Sequence, residues 1–169
     1  MKYLTLLRHA KSSWKGPQLA DFDRPLNKRG RTDAPFMGER LAFRGLNPDR
    51  IIASPALRAR LTAEVVALAL QRGEESIHWE ASISEADLTT LLTLIRKLPD
   101  SWQDILLVGH NPGLTELANC LAPCNIANIV TCGAVRIALP ADTWTAAGRQ
   151  AGRLEFYDTP GEVPGGSRS

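Results

Sequence analysis

No stretch of this chain approaches the ~18 consecutive apolar residues that a membrane-spanning helix needs. The first apolar run, Tyr3 to Leu7, stops at the charged pair Arg8-His9. It is too short for the ~7–15-residue core of a secretory signal, so cytoplasm is the expected location, with no membrane contact. A charge excess is missing too: 20 Lys and Arg face 18 Asp and Glu, a formal balance of +2. Proteins that track nucleic acid concentrate basic residues, so no nucleic-acid partner is expected. The densest basic cluster, Lys28, Arg29 and Arg31, reads as a solvated face. Cysteine is scarce: Cys120, Cys124 and Cys132 are odd in number, and their spacing matches no zinc pattern. They fit a reducing compartment and are expected as buried thiols. No internal repeat and no long Gly/Pro/Ser linker divides the 169 residues, a length that suits one domain.

What the chain does have is a regular alternation. Short apolar runs at 3–7, 50–53 and 104–108, with weaker ones at 134–139 and 153–157, predict strands. Between them lie segments with apolar residues at helical spacing. These are 30–43 (Ala34, Met37, Leu41), 55–71 (Leu57, Leu61, Val65, Leu68), 87–98 (Leu88, Leu91, Leu92, Ile95) and 112–121 (Leu114, Leu117, Ala118, Leu121). Pro55 and Pro112 suit a first helical turn, and Asp87 suits an N-cap. Continuous apolar strands alternating with amphipathic helices predict an α/β, three-layer α/β/α sandwich with a mainly parallel central sheet.

The polar residues that follow the strands carry the functional signal. The first strand runs into Arg8-His9, the second into Ser54-Pro55 with Arg58 and Arg60 beyond, and the third into Gly109-His110-Asn111-Pro112. Open parallel sheets bind ligands just past the carboxyl ends of their strands. Three strands thus bring two His and at least two Arg to one rim. Such a cluster repels itself unless an anion neutralises it, and a guanidinium fork matches the oxygens of a phosphoryl group. A neutral imidazole is a competent nucleophile near pH 7. The chemistry these residues point to is in-line attack of one imidazole on phosphorus, with the arginines and the second imidazole on the equatorial oxygens.

The same residues resemble a known family. Leu6-Leu7-Arg8-His9-Ala10-Lys11-Ser12 resembles the Arg-His-Gly/Ala signature that opens the histidine phosphatase superfamily, which also contains the cofactor-dependent phosphoglycerate mutases. The segment from Ser54 to Glu64 resembles its Ser-Pro-x-x-Arg-Ala-x-x-Thr-Ala-Glu block, and Val108 to Gly113 the block around its second histidine. Arg24-Pro25-Leu26-Asn27-Lys28-Arg29-Gly30 resembles its Arg-x-Leu-Thr-x-x-Gly helix entry, with Asn27 at the Thr position. The Arg-His-Ala and His-Asn-Pro-Gly forms are similar to the bacterial phosphohistidine phosphatase branch, of SixA type. The resemblance implies a phosphoglycerate mutase-like fold over residues 1–158; the composition of 159–169, with no periodic apolar face, predicts a mobile tail. It implies His9 as the nucleophile that becomes phosphohistidine, Arg8 and Arg58 as phosphate ligands, His110 as the second phosphate-contacting histidine, and no metal or other cofactor. The expected partner is a histidine-phosphorylated protein or a small phosphoester.

Other assignments stay open at this stage. In the acid branch of the superfamily an Asp follows the second histidine, where this chain has Asn111. Glu85 resembles the general acid of the mutase-like branch, and it also suits an exposed first-turn residue. Ser12 is a candidate phosphate contact or a helix cap. Ser54 reads as orienting the loop around Arg58, Arg24 as a ligand or as a partner of Asp21 or Asp23, and Trp14 as lining the entrance. Arg60 turns away from Arg58 on a helix, and His78, Trp102 and Trp144 read as packing. The functional readings are a phosphohistidine phosphatase first, a small-molecule phosphomonoesterase with the same site second, and a non-catalytic phosphate-binding module third.

Overall fold

Side-chain alternation along the strands sorts the apolar residues into two cores. The computed structural model describes residues 1–16 and 20–161; the tail expected at 159–169 lies outside the described residues from 162 onward. The elements run β1 (Lys2–Arg8), α1 (Lys28–Phe43), β2 (Arg50–Ala53), α2 (Leu57–Ala69), β3 (Ile77–Trp79), α3 (Leu88–Arg96), β4 (Asp104–Gly109), α4 (Gly113–Leu121), β5 (Ala134–Leu139) and β6 (Arg153–Asp158). On β1, Leu4 and Leu6 face one core and Leu7 the other; on β4, Ile105 and Leu107 oppose Leu106 and Val108. One core is closed by α3 and α4 and the other by α1 and α2. A strand buried on both faces is apolar nearly throughout, which is why 105–108, after the half-buried Asp104, reads as an uninterrupted run.

The sheet order is β3-β2-β4-β1-β5-β6. Strands β3, β2, β4 and β1 are parallel, whereas β5 and β6 pair antiparallel. The sheet is therefore mixed rather than parallel throughout, with the antiparallel pair confined to one edge. The three-residue β3 escapes sequence reading because only Ile77 of Ile-His-Trp is buried, leaving no alternation to detect. Helices α2 and α4 begin after Pro55 and Pro112 rather than at them, since Ala56 and Pro112 occupy the N-cap positions. Asp87 caps α3 as expected, its carboxylate accepting from the Thr90 N–H.

Two corrections concern residues expected at the surface or in the core. Arg29 turns inward, 3.4 Å from the buried Asp33 carboxylate one helical turn on, so the basic cluster is not wholly solvated. Cys120 and Cys132 are buried, but Cys124 is only half-buried. None of the three forms a disulfide among the described residues.

Local chemistry joins the loop after β1 to α1. Asn27 accepts from Gly30 N–H at 2.8 Å as the N-cap, and its own N–H donates to the Lys11 carbonyl at 3.0 Å. A Cβ on residue 30 would sit 2.1 Å from that same carbonyl, so only glycine lets the helix end approach the loop. The Asn at the Thr position thus performs an ordinary N-cap task.

Candidate active site

His9 continues β1 past its last ladder bond, its N–H donating to the Gly109 carbonyl of β4 at 3.0 Å. Its ring is buried, and Nδ1 lies 2.7 Å from the Ala10 carbonyl. A carbonyl only accepts, so Nδ1 carries the proton and Nε2 keeps its lone pair. Burial is the main reason the His9 pKa falls to about 3; His110 and the cations of Arg58 and Arg8 add to the depression. The imidazole is neutral throughout the physiological range.

His110, at the end of β4, stands beside it with ring centroids 5.2 Å apart. Its Nε2 is 2.7 Å from the Ser54 hydroxyl, which itself accepts from the Ala56 N–H. When that hydroxyl donates to Nε2, Nδ1 becomes a proton donor, and Nδ1 is buried without a partner among the described residues. Burial first, and then the charge of Arg58, lowers the His110 pKa to about 4, against a smaller opposing pull from Asp21. Ser54 therefore holds His110 as well as the loop before α2, a role its position after β2 did not disclose.

Two guanidiniums complete the group. Arg8 donates from Nη1 to the Ile129 carbonyl at 2.9 Å, and Arg58 donates to the Asp21 carbonyl at 2.8 Å and to its carboxylate at 3.1 Å. Burial lowers the pKa of both arginines. The Nε atoms of Arg8 and Arg58, Nδ1 of His110 and Oγ1 of Thr131 are all buried and unpartnered among the described residues. All four residues line one cavity of ≈ 290 Å³ with His9, Lys11, Ser12, Trp14, Arg24 and Asn111. Each such atom costs about 1–3 kcal/mol while unpartnered. A tetrahedral anion accepts from several donors at once and relieves the cost together.

The four residues carried by the strand-end motifs thus meet in one cavity. Ser12 and Arg24 join them: Arg24 Nη1 donates to the Ser12 hydroxyl at 2.6 Å while its Nε donates to Asp21 at 3.0 Å. Arg24 is thus paired with Asp21 and also lines the cavity. Trp14 lines the entrance. Arg60 points away and pairs with Glu64 at 3.3 Å. His78 packs against Trp102, and Trp144 is fully buried.

Glu85 does not line this cavity. It is exposed in the turn before α3 and lines an adjoining cavity of ≈ 360 Å³ that shares His110 and Asn111 as a wall. Gly113 keeps that turn close, because a Cβ there would meet the Ala86 carbonyl at 2.4 Å. Asn111 is occupied as a tether: its amide donates to Asn128 and to the Ile129 carbonyl, and its oxygen accepts from Thr115. It draws loop 122–133 over the end of β1, where Cys132 N–H is shared by the Arg8 and His9 carbonyls at 3.1 Å each.

Sequence reasoning passed over three contributors. Thr131 and the Ile129 carbonyl come from an irregular loop with no periodicity. Thr62, on α2, accepts from the Ala10 N–H at 2.9 Å and donates to the Arg58 carbonyl at 2.7 Å, joining the segment after His9 to the one that carries Arg58. It lies in the Thr-Ala-Glu part of the second motif, so the signal was present without a role attached.

Comparison with known proteins gives the family and the fold. Residues 4–104 match the family model of the histidine phosphatase superfamily (branch 1). An uncharacterized chloroplastic protein of Arabidopsis thaliana is 35% identical over 153 residues, covering 85% of this chain and 69% of the other. Among solved structures, one from Agrobacterium tumefaciens assigned as the phosphohistidine phosphatase SixA superposes with a TM-score of 0.78 at 28% identity. It covers 94% of this chain and 98% of its own. A protein histidine phosphatase SixA complexed with tungstate shares the fold, with a TM-score of 0.79 at 20% identity, over 94% of this chain and 97% of its own.

Proposed function

The chain belongs to the histidine phosphatase superfamily, and from that premise we propose that it dephosphorylates phosphohistidine on a signalling or phosphotransfer protein, with His9 as the phosphoryl acceptor. Nε2 of His9 attacks phosphorus in line. A P–Nε2 bond forms as the bond to the substrate's imidazole nitrogen breaks, and that nitrogen leaves with the electron pair. Water then attacks phospho-His9, the P–Nε2 bond breaks, and inorganic phosphate departs. Arg8, Arg58 and His110 hold the equatorial oxygens in both steps, with Ser12 at the edge of the set.

The observation that carries the reading is the pairing of a buried neutral His9, its Nδ1 proton committed to the Ala10 carbonyl, with unpartnered donors of two arginines in the same cavity. The P–N preference is supported by the place of Glu85, outside the cavity, because an imidazole nitrogen leaves more readily than an alkoxide. The 28%-identical Agrobacterium tumefaciens structure supports it as well.

Quenching turnover of a radiolabelled substrate tests the reading. We expect acid-labile, alkali-stable phosphate on the protein, lost in His9→Gln and kept in His78→Gln. A label that survives His9→Gln overturns the assignment. A phosphomonoesterase is the second reading, favoured by the shared wall between Glu85's cavity and His110. There Glu85 serves as the general acid, and Glu85→Gln slows esters far more than phosphohistidine. Equal slowing removes Glu85 as a donor.

A further inference from the structure

Tryptophan is usually highly buried, yet Trp14 is 79% exposed at the mouth of the phosphate cavity. It is not loose there. The Arg24 guanidinium lies 3.5 Å from its ring centroid, and Arg24 is itself buried and fastened to Asp21 at 3.0 Å and Ser12 at 2.6 Å. One face of the indole is backed by a fixed cation, and with four-fifths of the residue's surface exposed, the other face meets solvent. Trp14 is the one large aromatic among the described residues lining this cavity.

Position gives that face its use. At ≈ 290 Å³ the cavity sits at the bottom of the ~300–1,000 Å³ range of enclosing ligand sites. The donors that suit a phosphoryl group, on Arg8, Arg58 and His110, are buried, whereas Trp14 on the same cavity is exposed, so a group attached to phosphorus extends from the buried donors toward the indole. We propose that Trp14 is a leaving-group subsite: its open face stacks on a flat ring bonded to the phosphoryl group, an imidazole or an aryl group, and selects ring-bearing substrates over ring-less ones. This rests on the reading of the cavity as a phosphoryl site and adds to it which chemistry stands outside that site. Offset stacking of two rings is worth about 2- to 10-fold in an equilibrium or rate ratio.

Binding of phenylphosphonate and methylphosphonate, two non-hydrolysable probes, reads the subsite without requiring turnover. Calorimetry on the intact chain should show phenylphosphonate bound about 2- to 10-fold more tightly. Trp14→Ala should collapse that ratio toward one, and Trp14→Phe should keep most of it. In parallel, the kcat/KM ratio of phosphoimidazole to phosphoramidate should fall by a similar factor in Trp14→Ala. A binding ratio that Trp14→Ala leaves intact overturns the subsite, as does a Phe variant that behaves like Ala. Equal losses for both probes assign Trp14 to holding Arg24 and also overturn it. Failure of His9 labelling with the binding ratio preserved overturns the phosphatase reading instead, so the two are separable.

Discussion

Arg136 and Arg58 are both largely withdrawn from water, their side chains 13% and 9% exposed, and they face opposite balances. Arg136 leaves β5 for the amino end of β4, where it donates to both Asp104 oxygens, to Thr5 and to Glu155, and it covers the Tyr3 ring. Despite burial, those carboxylates raise its pKa. Arg58, at the carboxyl ends of the strands, meets a single residue, Asp21, whose side chain is 65% exposed, and its Nε has no partner among the described residues. Burial lowers its pKa, as it does for Arg8. A guanidinium whose three nitrogens all donate to fixed partners is a structural tie. One whose donors remain unspent, beside a second of the same kind and a neutral imidazole, is set to receive an anion.

The sharpest break of this contrast compares the two arginines directly. Arg58→Ala should lower kcat/KM for phosphoryl substrates by roughly 10²–10³-fold, the usual cost of losing one charge-stabilising donor, with little change in the urea midpoint. Arg136→Met should leave turnover within about two-fold. It should cost about 1–3 kcal/mol of stability by urea titration, less than for a fully buried pair because Glu155 and Asp104 keep some solvent. Similar turnover losses in the two variants would erase the distinction.

A second test uses protons. With His9 at about 3 and His110 at about 4, kcat/KM should stay level from pH 8 down to about 5. An imidazole at its ordinary ~6.5 would be about ten-fold depleted of its neutral form by pH 5.5, so an acid limb near 6.5 would contradict the burial argument. The sign for stability follows from linkage. The unfolded chain takes up protons at both histidines below ~6.5 while the native state refuses them, so their contribution falls as pH drops from ~6.5 toward 4. A urea series over that range measures it.

The smallest expected effect concerns Asp21. Burial is the largest single influence on its carboxyl and pushes the pKa up, but the Arg24 hydrogen bond, the charges of Arg58 and Arg24 and the Arg58 hydrogen bond together hold it below the usual range. That carboxylate is an internal anion on Arg58, a phosphate ligand in the proposed function, and on Arg24 beside it in the cavity. Asp21→Asn should strengthen inhibition by inorganic phosphate by about two- to five-fold, the scale of an exposed ion pair. Weaker phosphate inhibition would make Asp21 a support for Arg58 rather than a competitor.

The four long helices and five of the six strands were legible because each buries a stripe or a face that repeats along the chain. Arg8, His9, Arg58 and His110 were legible because a strand end precedes each motif. Thr131, the Ile129 carbonyl and the second task of Ser54 were not. They arrive by loop packing, and no period in 122–133 announces which atoms will face β1. Arg24 could not be resolved between ion pair and pocket, since only the fold reveals that one guanidinium does both.

Local chemistry written along the chain was enough to determine the layered α/β architecture and which side chains stand at the strand ends, because periodicity and covalent neighbours are one-dimensional facts. Only the tertiary structure decided which nitrogen of His9 holds the proton, which guanidinium donors stay unspent, and which indole face remains open. Each depends on how the segments around the cavity fold against one another and exclude water, and desolvation is a property of the assembled volume.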